Sequence, residues 1–168
     1  MEIRLLVPSD APVYRALRLR GLREHPQAFT SSYEEDVTIP LQVTATRLDS
    51  PRHTFWGAFH GPELCGMLGL ERETRAKNRH KGRVTAVYVA AEASRQGVAR
   101  DLLAALLAQA RSEGFESLVL TVTEGNDSAL RLYERAGFRS FGLEPCAIKV
   151  DGCAFGKIHM VLLLTETS

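Results

Sequence analysis

"YVAAEASRQGVARDLL", residues 88–103, runs from the end of a β-branched stretch into an amphipathic helix, and the fold is read outward from it. Val98, Leu102, Leu103, Leu106, Leu107 and Ala110 recur at helical spacing, and Gly114 is a stop signal. "GRVTAVYVA" (82–90) precedes this helix as a strand. "SLVLTVT" (117–123) follows it as a continuous apolar run, the pattern of a strand buried on both faces. Strand, helix and strand in that order predict a parallel crossover. Gly97 either merely starts the helix or bares it to a ligand. The first amides of a helix lack intrahelical partners, and the aligned peptide dipoles make that end partly positive. Small residues at Gly97 and Ala99 admit a close ligand, and Arg95 and Arg100 add charge, which suits a phosphate or pyrophosphate. No Gly-Lys-Ser/Thr follows and a third glycine is lacking, so this is neither a P-loop nor a dinucleotide fingerprint.

The remaining elements fall around this unit. "EIRLLV" is a short strand, and Asp10 is expected to cap a helix with Pro12 in its first turn, ending near His25-Pro26. "SYEEDVTIP" reads as a polar connection, with a second helix from Pro40 to Leu48. "HTFWGAF" and "LCGMLGLE" are strands joined by the turn "HGPE". "NDSALRLYERAG" is a helix capped by Asn126 or Asp127 and closed by Gly137. The last part, "AIKVDGCAFGKIHMVLLL", is a hairpin about Asp151-Gly152. The order β-α-α-β-β-β-α-β-α-β-β predicts a mixed α/β sheet flanked by helices. With no repeat or linker composition, residues 1–168 are expected to form one domain.

Composition excludes several classes. With 21 Lys plus Arg against 20 Asp plus Glu, the formal charge is +1, which argues against nucleic-acid binding. The basic stretch Arg72–Arg83 reads as a solvated loop. Cys65, Cys146 and Cys153 have no metal-ligand spacing, so no metal is expected, and Cys65 reads as a small core residue. No secretory h-region or membrane-length apolar run is present, and the expected location is the cytoplasm.

A second constellation lies in "VTEGNDSALRLYERAGF", residues 122–138. Asn126, Ala129 and Tyr133 share one helical face directly after the buried strand. Individually they read as an N-cap and core positions. Combined with the glycine loop they form a specific pattern. "VYV", "RQGVARDLL", "NDSALRLYERAGF" and the closing hairpin together resemble the GCN5-related N-acetyltransferase (GNAT) family over nearly the whole chain. The resemblance implies a mostly antiparallel sheet of about seven strands whose middle strands splay, with about four helices and acetyl-CoA in the opening.

On that resemblance, the backbone of Val87, Tyr88 and Val89 pairs with the pantetheine arm. The amides of Arg95, Gln96, Gly97, Val98, Ala99 and Arg100 hold the pyrophosphate, and Asn126 and Ala129 contact the cofactor. An amine attacks the thioester, an oxyanion forms near the amide of Val89, and Tyr133 protonates the leaving thiolate. Two positions depart from the family pattern. Ser94 stands where a longer polar side chain is usual, and Thr121 stands where RimI-like protein N-terminal acetyltransferases often place a glutamate base. The base is then sought in Glu71, Glu124 or a water chain, with His80 a loop histidine that could relay. Glu34, Glu35 and Asp36 form an acidic spot that could attract a cationic amine, and Tyr33 and Phe29 either wall the acceptor pocket or anchor their loop. The expected reaction is direct acetyl transfer to a small primary amine. The alternatives are a RimI-like peptide acetyltransferase and a non-catalytic acyl-CoA sensor. The apolar "MVLLL" leaves both a homodimer interface and a buried strand open.

Overall fold

The computed structural model describes residues 1–165. Seven strands form one sheet in the order β1-β2-β3-β4-β5-β7-β6. They are β1 (Glu2–Leu5), β2 (His53–His60), β3 (Glu63–Arg72), β4 (Lys81–Val89), β5 (Ser117–Thr123), β6 (Arg139–Val150) and β7 (Cys153–Leu163). Every pairing is antiparallel except β4 with β5, the pair expected from the strand-helix-strand pattern.

Five helices cover the sheet: α1 (Ala11–Glu24), α2 (Tyr33–Asp36), α3 (Leu41–Leu48), α4 (Val98–Ser112) and α5 (Asp127–Arg135). The one not anticipated is α2, a single turn inside the stretch read as a polar connection. Ser32 starts it by accepting from the Glu35 amide at 3.1 Å while donating to Glu35 Oε1 at 2.8 Å, a reciprocal cap. The expected cap at Asp10 takes another form. Its carboxylate is turned back to the Arg4 guanidinium and the Val7 amide, both at 2.8 Å, and makes no cap bond to α1. The last hairpin is also longer than its sequence pattern. β6 begins directly after α5 and passes Pro145 and Cys146 (φ 51°) through an irregularity between Glu144 and Ile148, which an edge strand tolerates.

α1 and α3 cover one face and α4 with α5 the other. Gly66 of β3 is the close-approach point for α4. A Cβ there would stand 2.9 Å from Val98 Cγ1, so glycine lets the start of α4 rest on the sheet. Leu102, Leu106, Leu118 and Met160 are fully buried on this face, and Cys65 is buried as expected.

Candidate functional site

The parallel pairing of β4 with β5 is short. It spans Lys81↔Ser117, Gly82↔Leu118 and Arg83↔Val119, and no register continues beyond. A wedge therefore opens between the C-terminal halves of two neighbouring strands. On the β4 side, one β3 residue, Leu68, opposes two of β4, Ala86 and Val87, between the pairs Gly69↔Thr85 and Met67↔Tyr88. Ala86 absorbs the extra residue with φ 56°, a left-handed conformation that makes this a β-bulge.

The bulge sets which backbone groups face the wedge. Ala90 donates to Cys65 O at 2.8 Å, which makes Gly66↔Val89 a non-hydrogen-bonded pair. The amide and carbonyl of Val89 are thus directed away from β3, toward the gap left by β5. Tyr88, one residue earlier, is directed at β3 instead. Of the three residues expected to pair with pantetheine, Val89 has its backbone free toward the opening, and strand alternation gives Val87 the same direction. Tyr88 serves differently. Its ring is buried under α1 against Phe29, and its hydroxyl donates to Glu24 Oε2 at 2.8 Å. Burial, reinforced by that carboxylate, pushes the phenol up to about 12.

At the mouth lies the 94–100 loop. Arg95 (φ 63°) and Gly97 (φ 76°) both adopt left-handed backbone and bracket Gln96, a geometry that turns successive amides into one concavity. Asp101 donates to Gly97 O at 3.0 Å as the first helical bond of α4, so the earlier amides of the turn have no helical acceptor. Gly97 as N-cap supplies no side-chain cap, and a Cβ on it would lie 2.6 Å from the Arg100 guanidinium. Ser94 is spent locally, its hydroxyl donating to Ala91 O at 2.7 Å. The loop is anchored by Arg20 of α1, whose two terminal nitrogens reach both oxygens of Glu92 at 2.7 and 2.6 Å. That fork draws the Glu92 carboxyl down to about 2.

The opposite wall ends in α5. Asn126 caps it, its side-chain oxygen accepting from the Ala129 amide at 3.3 Å. Tyr133, two turns deeper, is 5% exposed and packs edge-on against Phe138 at 5.8 Å. Burial alone raises its hydroxyl, with no partner to help it ionise, so it keeps its proton.

On the α1 side of the wedge, the segment after α1 is tied down at several points. Thr123 Oγ1 donates to Gln27 O at 2.7 Å, and Lys157 Nζ donates to Thr30 Oγ1 at 2.6 Å. Burial holds the Lys157 ammonium below the usual lysine range. Tyr33 lies under the Arg23 guanidinium, 4.4 Å from ring centre, and its hydroxyl accepts from it. Phe29 is an anchor, buried between Gly21 and Tyr88. The acidic spot is mostly engaged. Asp36 pairs with Arg18 at 2.5 Å and Glu35, though exposed, bonds Ser32, which leaves the exposed Glu34 as the member without a side-chain partner among the described residues.

The candidate bases separate. Glu71 is aligned with Arg83, the last β4 residue paired with β5, and it binds Arg52 at 3.2 Å. It stands beside the closed end of the wedge and is not brought together with Asn126, Tyr133 or Gly97. Glu124 follows β5 at the open end, exposed, with Oε1 over the backbone of Gly156. The pair His159 and Glu144 went unread in the sequence. His159 is the register partner of Thr121, and its Nε2 lies 2.9 Å from Glu144 Oε1. Alternation in β7 does place Lys157 and His159 on one face, but only the three-strand register brings them beside Thr121.

The "Acetyltransferase (GNAT) family" description matches residues 19–138 of this chain. Over 95 residues the chain is 33% identical to an uncharacterized N-acetyltransferase, YsnE, of Bacillus subtilis, covering 55% of this chain and 60% of that one. Over 144 residues it is 44% identical to a mycothiol acetyltransferase of Thermobispora bispora, covering 82% of this chain and 46% of that one. The chain thus spans 46–60% of the length of these curated relatives. Among solved structures, YncA of Salmonella typhimurium with its cofactor acetyl-CoA superposes with a TM-score of 0.87 at 19% identity, over 100% of this chain and 96% of that one.

Proposed function

Because the chain belongs to the GNAT acetyltransferase family, we propose that it transfers acetyl from acetyl-CoA directly to a primary amine of a small molecule. The observation that carries this is the wedge between β4 and β5, with its free Val89 amide and the amide concavity of Arg95–Arg100 at its mouth. The residues present fit acetyl-CoA. The left-handed Gly97 keeps the concavity open where a side chain would run into Arg100, and a pyrophosphate matches the partly positive start of α4. Bound there, acetyl-CoA supplies an activated acetyl thioester.

The remaining steps belong to this chain's own backbone and side-chain groups. The amide of Val89 donates to the oxyanion that develops as the amine attacks. Tyr133, kept protonated by burial, gives its proton to the leaving sulfur. His159 takes the proton that the ammonium must lose. With Nε2–H donating to Glu144, Nδ1 is left as the accepting lone pair, the tautomer that a carboxylate partner selects. This assignment replaces Glu71, which lies at the closed end. The tethered segment around Gln27 and Thr30 roofs the acceptor side, which supports a compact amine over a long peptide. Thr121, with no carboxylate, supports the same choice.

A panel of small amines and N-terminal peptides, read by release of free CoA thiol, tests this. Release with small amines and not with peptides is expected. Preference for peptides would move the reading to a protein acetyltransferase, and background release throughout would leave an acyl-CoA sensor. Binding is checked separately. At a hundredfold excess over its Kd, acetyl-CoA should add about 2.7 kcal/mol of stability.

A further inference from the structure

On the outer side of α1, away from the wedge, a cavity of about 60 Å³ lies between its N-terminal half and α3. A water needs roughly 10–15 Å³ of such space, so the cavity suits a group of a few heavy atoms. Its walls include Tyr14, Arg15, Arg18, Asp36 and Arg47.

Two donors of this wall are buried with no acceptor within hydrogen-bonding distance: the Tyr14 hydroxyl, which lies beside the Arg18 guanidinium, itself only a donor, and Arg15 Nε–H. Tyr14 is 2% exposed, its ring tilted against Phe55 at 5.4 Å. Buried polar groups of native proteins are seldom left unmatched, and two on one small cavity indicate an absent acceptor. Charge gives the sign of the occupant. Three guanidiniums meet at the cavity and one carboxylate opposes them, Asp36, whose Oδ2 is already held by Arg18 Nε. Arg15 spends one terminal nitrogen on Val37 O at 2.7 Å, and Arg47 lies over the Phe55 ring. A neutral water would satisfy the hydroxyl but leave the positive excess. Ile39 and Val43, both exposed, form the apolar outer rim of the space.

We propose that this cavity binds a small oxyanion of carboxylate or phosphate size, held by the Tyr14 hydroxyl, Arg15 Nε–H and the Arg47 guanidinium. The site is separate from the wedge and does not depend on the acetyltransferase reading. Its recognition is charge-assisted hydrogen bonding between guanidinium and hydroxyl donors and the oxyanion.

The test follows the Arg15 side-chain N–H signal in ¹H–¹⁵N spectra of the whole chain during titration with sodium phosphate, sodium acetate and sodium chloride at matched ionic strength. A saturable shift with phosphate or acetate and none with chloride is expected, and the stronger of the two oxyanions identifies the source. Tyr14→Phe should weaken that binding about tenfold, the loss of one charge-assisted hydrogen bond. Without the oxyanion, the same variant should keep or raise its Tm, because it deletes an unmatched hydroxyl. Equal shifts with chloride, no saturable shift with either oxyanion, or unchanged affinity in Tyr14→Phe would each overturn the proposal in favour of water.

Discussion

Thr121 and His159 face each other in register across β5 and β7, and His159 is held from its other side by Glu144 at 2.9 Å. A neutral hydroxyl on β5 thus has an imidazole on β7, backed by a carboxylate on β6.

If His159 removes the ammonium proton, His159→Gln should lower kcat by about a hundredfold while acetyl-CoA affinity stays unchanged. Added imidazole should restore part of the rate, and the deficit should shrink at alkaline pH, where more of the amine is already free. Glu71→Gln, at the closed end of the wedge, should keep nearly full turnover. Steady-state rates across pH for the two variants check both expectations. A full-rate His159→Gln would return the role to Glu124 or to water.

Tyr133→Phe separates chemistry from packing. The ring stays against Phe138 and burial alone acts on the hydroxyl, so its loss should change stability by less than about 1 kcal/mol. Turnover should fall about a hundredfold. Chemical denaturation and thiol release measure the two sides. An equal loss in both would make Tyr133 a packing residue only.

The bulge at Ala86 offers a test of the wedge itself. An L-residue at φ 56° carries about 1–2 kcal/mol of backbone strain. Ala86→Gly should therefore hold or gain about 1 kcal/mol, whereas a β-branched valine there should lose about 1–2 kcal/mol. Ala86→Val should also weaken acetyl-CoA binding, since the bulge directs the Val89 amide into the wedge. Urea midpoints and the acetyl-CoA-induced Tm shift report the two effects.

Asp10 ties the start of α1 to β1, and the Arg4 guanidinium beside it holds its carboxyl below the usual carboxylate range. A depressed folded pKa stabilises the fold above the unfolded value of about 3.9 and loses that stabilisation as pH falls through the folded value. Wild type should therefore lose stability on acidification below about pH 4 more steeply than Asp10→Asn. At pH 7 the variant should be weaker by about 1 kcal/mol, a modest figure because the Arg4 side chain is 39% exposed. Denaturant midpoints at pH 7 and pH 3 check the sign.

Local pattern carried much of this molecule. Helical spacing from Val98 to Ala110 and the apolar run of β5 announce the crossover, because burial of one helical face and both strand faces must be written in the residues themselves. Gly97 and Asn126 were legible for the same reason: a left-handed N-cap and a side-chain cap are needs of a few neighbouring residues. What tertiary structure alone decided is which distant groups meet. β3 runs antiparallel to β4, so Glu71 at its end falls at the closed side of the wedge. One extra residue at Ala86 changes the hydrogen-bonding direction of everything after it, which turns Tyr88 toward β3 and Val89 toward the opening. Glu144 reaches His159, and His159 stands beside Thr121, only through the register of β6, β7 and β5. Periodicity assigns a residue to a face. Register, which depends on bulges and partner strands far along the chain, assigns it a neighbour.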